Sequence, residues 1–189
     1  MTSGSASWYD VVTGGKLLQG DILRECPLPS LTGLADWPLK PDDELDIDIR
    51  LADACVLSQS CDLENNKIDE VLLAQVVDWD AGWRALVAQG NPSAKGTRFR
   101  ESLVAGNVPG LALLRKHEGS PIMEWSLVDF RRIFVLPKPA AAAVAVANGE
   151  RLRLIPPYRE HLGQAFARYF MRVGLPLNAA EFVAEGATT

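Results

Sequence analysis

An α+β fold is what this sequence predicts, with a β-rich front half and a long amphipathic helix near the C-terminus. Three observations carry that reading. Leu45-Asp46-Ile47-Asp48-Ile49-Arg50-Leu51 alternates strictly between apolar and polar residues, the two-residue period of a half-buried strand. Ala54-Cys55-Val56-Leu57 and the stretch 70–79, with Val71, Leu72, Leu73, Ala74, Val76 and Val77, are apolar enough for strands buried on both faces. After Pro156-Pro157, Tyr158, Leu162, Ala165, Phe166, Tyr169, Phe170 and Val173 recur at spacings of three and four and share one helix face.

In chain order, residues 1–16 read as an N-terminal tail. A strand begins at Gly20-Asp21-Ile22-Leu23, after the Gly14-Gly15 turn. Pro27, Pro29, Gly33 and Pro38 predict an irregular loop over 26–41. The alternating and apolar strands follow, separated by Ser58-Gln59-Ser60-Cys61-Asp62 and a turn at Glu64-Asn65-Asn66-Lys67. Residues 91–105 suit one helix, with Pro92 in its first turn and Asn91 or Ser93 as cap. Strands are expected at 111–114 and 125–136, the second stopped by Pro137 and Pro139. The Ala/Val run 140–147 is a helix or a connector. The last helix ends at Gly174, and Pro176 prevents its continuation. Residues 138–189 then form a helical extension on the same core.

With 189 residues, 48% of them apolar, the chain can bury a core without disulfide or metal staples. No apolar run approaches the length of a membrane span, and the N-terminus has no basic segment followed by an apolar one. Cys26, Cys55 and Cys61 are odd in number and irregular in spacing, which predicts reduced thiols in a cytoplasmic protein. His117 and His161 lie far from them, so neither a metal nor a cofactor is predicted. No Walker loop, Gly-x-Gly-x-x-Gly turn or HExxH helix occurs. The net charge of −5 opposes non-specific nucleic-acid binding, but it is unevenly placed. Residues 36–80 carry thirteen acids against three bases, whereas 95–132 carry seven bases against four acids.

Chemistry-bearing residues concentrate in 54–66, where a buried strand opens into a polar connection. Ser58, Cys61 and Asp62 are the catalytic candidates. As a nucleophile, Cys61 would need a cation or a histidine, His117 or His161, brought in by folding. A second reading stays open: Ser58, Ser60 and Asp62 hydrogen-bond the turn backbone while Cys61 packs inward. Arg131 and Arg132, adjacent on a strand, alternate faces, so only one of them can join a given surface, to bind phosphate or to pair with Asp129 or Glu124.

Four short motifs occur in the order found in the MazF/PemK-like toxin family. They are Gln19-Gly20-Asp21-Ile22-Leu23, Cys55-Val56-Leu57-Ser58-Gln59, Val71-Leu72-Leu73-Ala74-Gln75-Val76 and Ser126-Leu127-Val128-Asp129-Phe130-Arg131-Arg132-Ile133. On these the chain resembles that family over residues 17–137. The resemblance implies a small SH3-like β-barrel, here with the long helix appended. It also implies action on single-stranded RNA in a prokaryotic defence or toxin–antitoxin setting, and a homodimer. Arg131 or Arg132 would contact phosphate, and Gln59 or Asn65 would read base edges. Where the family has an Arg-Pro pair this chain has Leu51-Ala52-Asp53-Ala54, and no threonine closes the next strand, so the implied endoribonuclease is atypical or degenerate. Two rivals are a non-catalytic protein-interaction module using the acidic 36–80 surface and a thiol-dependent enzyme built on Cys61.

Overall fold

The structure, a computed structural model, describes residues 7–32 and 46–171. Seven strands and five α-helices run in the order β1 (Tyr9–Val12), β2 (Ile22–Thr32), β3 (Asp46–Val56), α1 (Ser60–Glu64), β4 (Glu70–Asp78), α2 (Trp79–Ala88), α3 (Thr97–Val104), β5 (Leu111–Leu114), β6 (Ser126–Pro137), α4 (Lys138–Asn148), β7 (Arg151–Leu154) and α5 (Tyr158–Phe170) among the described residues. A 3-10 turn, Pro92–Lys95, precedes α3.

The α+β class holds, but the SH3-like barrel does not. The strands form two open antiparallel sheets, one of five strands in the order β2-β3-β4-β6-β5 and a ribbon of β1 with β7. Closure would require β2 to pair with β5, and both stand at edges. Layers cover the two faces instead. Odd-numbered residues of β4 meet helices: Val71 and Leu73 pack with Ala141 and Ala145 of α4, and Val77 joins Leu127 against Leu86 of α2 and Leu103 of α3. Even-numbered Leu72, Ala74 and Val76 face Tyr9, Leu152 and Leu154 of the ribbon and Leu162 of α5. Gly82 lets α2 lie close on β6, because a Cβ there would stand 2.8 Å from Leu127 Cδ1.

The C-terminal helix is also shorter than the periodicity predicts. Among the described residues α5 has 13 residues and ends at Phe170; Val173, Gly174 and Pro176 lie outside them. The aromatics on its inner face are core, with Phe130 of β6 edge-on to Phe166 at 5.4 Å.

A buried ion cluster ties the ribbon to the larger sheet. Asp21 is fully buried and accepts Arg151 Nε at 3.0 Å and Arg153 Nη2 at 2.8 Å, with a further short bond from Arg153 Nε. The remaining Arg151 donors reach the carbonyls of Gly14 and Lys16, both at 2.6 Å. Gly20 sits at φ +86°, and a Cβ there would meet Leu154 Cβ at 2.8 Å. The Gly-Asp-Ile motif therefore does structural work, turning the chain and binding β7.

The predicted loop over 26–41 starts as strand. Pro27 and Pro29 lie within β2, opposite Leu51 and Ile49. Val56 directs its N–H and C=O to β2, bonding Asp21 and Gly20. By the alternation of an antiparallel ladder, Leu51 and Ile49 then direct theirs away from β2. Each proline thus occupies a pair with no ladder bond to lose. Residues 33–45 lie outside the described set, and with them four of the thirteen acids of the acidic stretch, Asp36, Asp42, Asp43 and Glu44. The helix expected over 91–105 is broken at Gly96, whose extended backbone (φ −81°, ψ 160°) separates the 3-10 turn from α3. β1 lies within 1–16 and β7 within 138–189, and the two pair directly.

Candidate functional site

Ser58 lies buried two residues beyond β3, and its hydroxyl accepts the Leu72 N–H at 2.8 Å. Ser60 Oγ accepts the Gln19 N–H at 3.2 Å. The two hydroxyls stitch this turn to β4 and to the segment before β2. Asn65 turns back on α1, donating from Nδ2 to the Cys61 carbonyl at 2.6 Å. Gln59 precedes α1 without capping it. Cys61 is exposed instead of packing inward, and its Sγ lies 3.6 Å from Gln59 Oε1 and 3.7 Å from Asp62 Oδ1. Both neighbouring oxygens are acceptors toward which the thiol S–H can donate. His117 Nδ1 is 2.9 Å from the Pro121 carbonyl, and His161 stands edge-on to Tyr158. Among the described residues no hydrogen bond joins Cys61 to either histidine, so no nucleophile–base pair is assembled.

Two of the three thiols are buried and one is exposed. Burial, and secondarily Asp53, pushes the Cys26 thiol up to about 12. Burial with the Asp21 carboxylate raises Cys55 still further. Both groups fold protonated. The stability they hold is complete below the ordinary thiol range near ~8.5 and is lost as pH rises through the raised values. A thiol reagent at mildly alkaline pH should therefore modify Cys61 rapidly and the other two only after denaturant unfolds the chain. Fast modification of a second thiol in the native protein would contradict the packing of β2 against β3.

Arg131 and Arg132 do not alternate as a regular strand requires. Opposite β4 the register jumps from Ala74↔Ile133 to Gln75↔Asp129, so Phe130, Arg131 and Arg132 form a bulge. Both guanidinium groups turn to Asp129. Arg131 donates twice to its carboxylate at 2.8 Å, Arg132 Nε lies 3.9 Å from it, and Arg132 also reaches Gln75 Oε1 at 3.2 Å. Among the described residues, no hydrogen bond or ion pair links these arginines to Ser58, Gln59, Cys61, Asp62 or Asn65. The two groups of sequence-derived candidates are not brought into one bonded cluster.

A richer surface lies on α2, α3 and the start of β6. Asp78 caps α2 by accepting the Ala81 N–H at 2.9 Å. Trp79 N–H donates to the Trp125 carbonyl at 2.7 Å, joining the start of α2 to β6. Trp83, one turn beyond Trp79, has Arg84 at 5.6 Å and Lys95 at 5.5 Å over its ring. Arg100 lies over Trp79 at 5.1 Å. Trp79, Arg100 and Trp125 line a cleft of about 190 Å³ with Leu103, Val104 and Leu113. Beyond Trp125 a cleft of about 480 Å³ continues to Trp8 and Tyr158, stacked at 4.3 Å, and to Arg168. The result is a track of exposed or half-buried aromatic rings with cations beside them. The spacing Trp79-x-x-x-Trp83 behind Asp78 is the sequence pattern that could mark it.

Among the described residues no group of three or more His, Cys, Asp or Glu side chains could hold a metal ion, and no helix is long and apolar enough to cross a membrane. No protein-family model matches the chain, and no curated protein matches it.

Proposed function

We propose that the chain binds single-stranded nucleic acid, RNA in the first instance, along the aromatic track from Trp83 through Trp79 and Trp125. The observation that carries this reading is the pairing of rings with cations: Trp83 with Arg84 and Lys95, and Trp79 with Arg100. A base can stack on an indole of any sequence context, while an adjacent guanidinium or ammonium group takes the phosphate. The cation now over the ring would swing to the backbone as a base replaces it. Trp8, Tyr158 and Arg168 extend the same chemistry along the larger cleft. The motif order shared with the MazF/PemK-like family supports RNA over DNA and a prokaryotic defence setting.

Binding is favoured over cleavage. The Ser58 hydroxyl is committed to the Leu72 N–H, and Cys61 has no histidine beside it. General acid–base cleavage needs a positioned proton donor and acceptor at the 2′-hydroxyl, and among the described residues no hydrogen bond assembles such a pair in the 58–65 segment.

Fluorescence anisotropy with a labelled mixed-sequence RNA at low salt tests this. Affinity should fall about 10-fold or more in Trp83→Ala, since one stacked base is worth ~1–3 kcal/mol. It should fall again in Lys95→Ala and stay unchanged in Ser58→Ala. Equal affinity in wild type and Trp83→Ala, or no binding at all, would reject the reading.

A further inference from the structure

The outer half of the β2–β3 hairpin projects beyond the core, and its β3 edge carries no strand partner among the described residues. β3 pairs with β4 only through Ala54, Cys55 and Val56. Along the rest of the strand, Ile47, Ile49 and Leu51 are each more than 60% exposed, and Asp48 and Arg50 are exposed as well. Because Val56 points its backbone groups toward β2, the N–H and C=O groups of Ile47, Ile49 and Leu51 point away from it. An exposed edge of this kind is a template for another strand.

We propose that the strand it accepts is β3 of a second copy, paired antiparallel about a two-fold axis at Ile49. The residue order is self-complementary in that register. Ile49 faces its own symmetry mate, and Ile47 faces Leu51 of the other copy. All of these have outward-pointing backbone groups, so each pair can exchange both hydrogen bonds. On the opposite face Asp48 meets Arg50 of the second copy, twice by symmetry. These fall in the non-hydrogen-bonded positions, where side chains approach most closely. Sliding the axis to Asp48 would oppose two aspartates, and sliding it to Arg50 would oppose two arginines. Each of these three registers sets apolar residues opposite one another, and charge selects the one with its axis at Ile49. A two-fold interface uses one patch against itself, as this requires. The interface is remote from the aromatic track and stands independently of the RNA reading.

Sedimentation velocity of the full chain over a range of concentrations tests the pairing through charge reversal. The wild type should sediment as a dimer. Asp48→Arg sets arginine against Arg50, and Arg50→Asp sets aspartate against Asp48, so each should shift to monomer. The double variant Asp48→Arg/Arg50→Asp restores opposite charges and should recover the dimer. An equimolar mixture of the two single variants should form dimers that neither forms alone. Both substituted positions are exposed, and circular dichroism checks that each variant is folded. A monomeric wild type, leaving the edge for some other strand, would overturn the proposal. So would a dimer indifferent to the single reversals, or a double variant that stays monomeric.

Discussion

Replacing Asp21 with alanine should cost about 3–5 kcal/mol of folding free energy, as expected when one partner of a buried ion cluster is removed. Asp21 and Arg151 are both fully buried, and Arg153 is only slightly exposed. Among the described residues the carboxylate is the one anion bonded to both guanidinium groups. Without it, two positive charges face each other behind the ribbon with the carbonyls of Gly14 and Lys16 as their remaining hydrogen-bond acceptors among the described residues. Dipoles offset part of that cost, not the charge itself. The loss should appear in equilibrium denaturation as a lower midpoint, accompanied by exposure of Tyr9, whose hydroxyl bonds the Arg115 carbonyl across the same layer. A change below about 1 kcal/mol, the range of a surface pair, would mean that the cluster is solvated in solution.

Phe130→Ala should be nearly as damaging, at about 3–5 kcal/mol for a buried phenylalanine. Phe130 is 1% exposed and sits at the β6 bulge, with its N–H donated to the Gly110 carbonyl at 2.8 Å. Its ring contacts Phe166 and Tyr169 and so holds α5 against the sheet. The cavity left by truncation would loosen α5 first. Hydrogen exchange should report this as lost protection in Tyr158–Phe170 with β4 largely unaffected. Uniform loss of protection would show instead that α5 and the central strands unfold as one unit.

Legibility in the sequence followed from how local each cause was. β4 and the last residues of β3 announce themselves because consecutive residues such as Leu73 and Ala74 are buried on opposite faces. The last helix was legible from its aromatic spacing. The β1–β7 ribbon was not, because Arg151 and Arg153 look like surface residues until Asp21, distant in sequence, neutralises them. The β6 bulge was equally hidden. Phe130-Arg131-Arg132 has the composition of an ordinary strand, and only the opposing register reveals the extra residues. Openness of the sheet depends on which edges meet, and short motifs in a familiar order carry no information on that. At the candidate site, the turn roles of Ser58 and Ser60 were legible from residue type. The aromatic track was not, because the apolar run of 70–79 continues through Trp79 without a break in character, whereas Asp78 ends β4 and caps the helix that presents Trp79 and Trp83.

Photo-crosslinking of the full chain to a single-stranded RNA containing 4-thiouridine, followed by mass-spectrometric mapping, tests the central claim most directly. Crosslinks should concentrate on Trp79, Trp83 and Trp125 and fade as salt rises, since the neighbouring cations release counterions on binding. Crosslinks confined to Ser58-Gln59-Ser60-Cys61, or an absence of crosslinks at low salt, would contradict it.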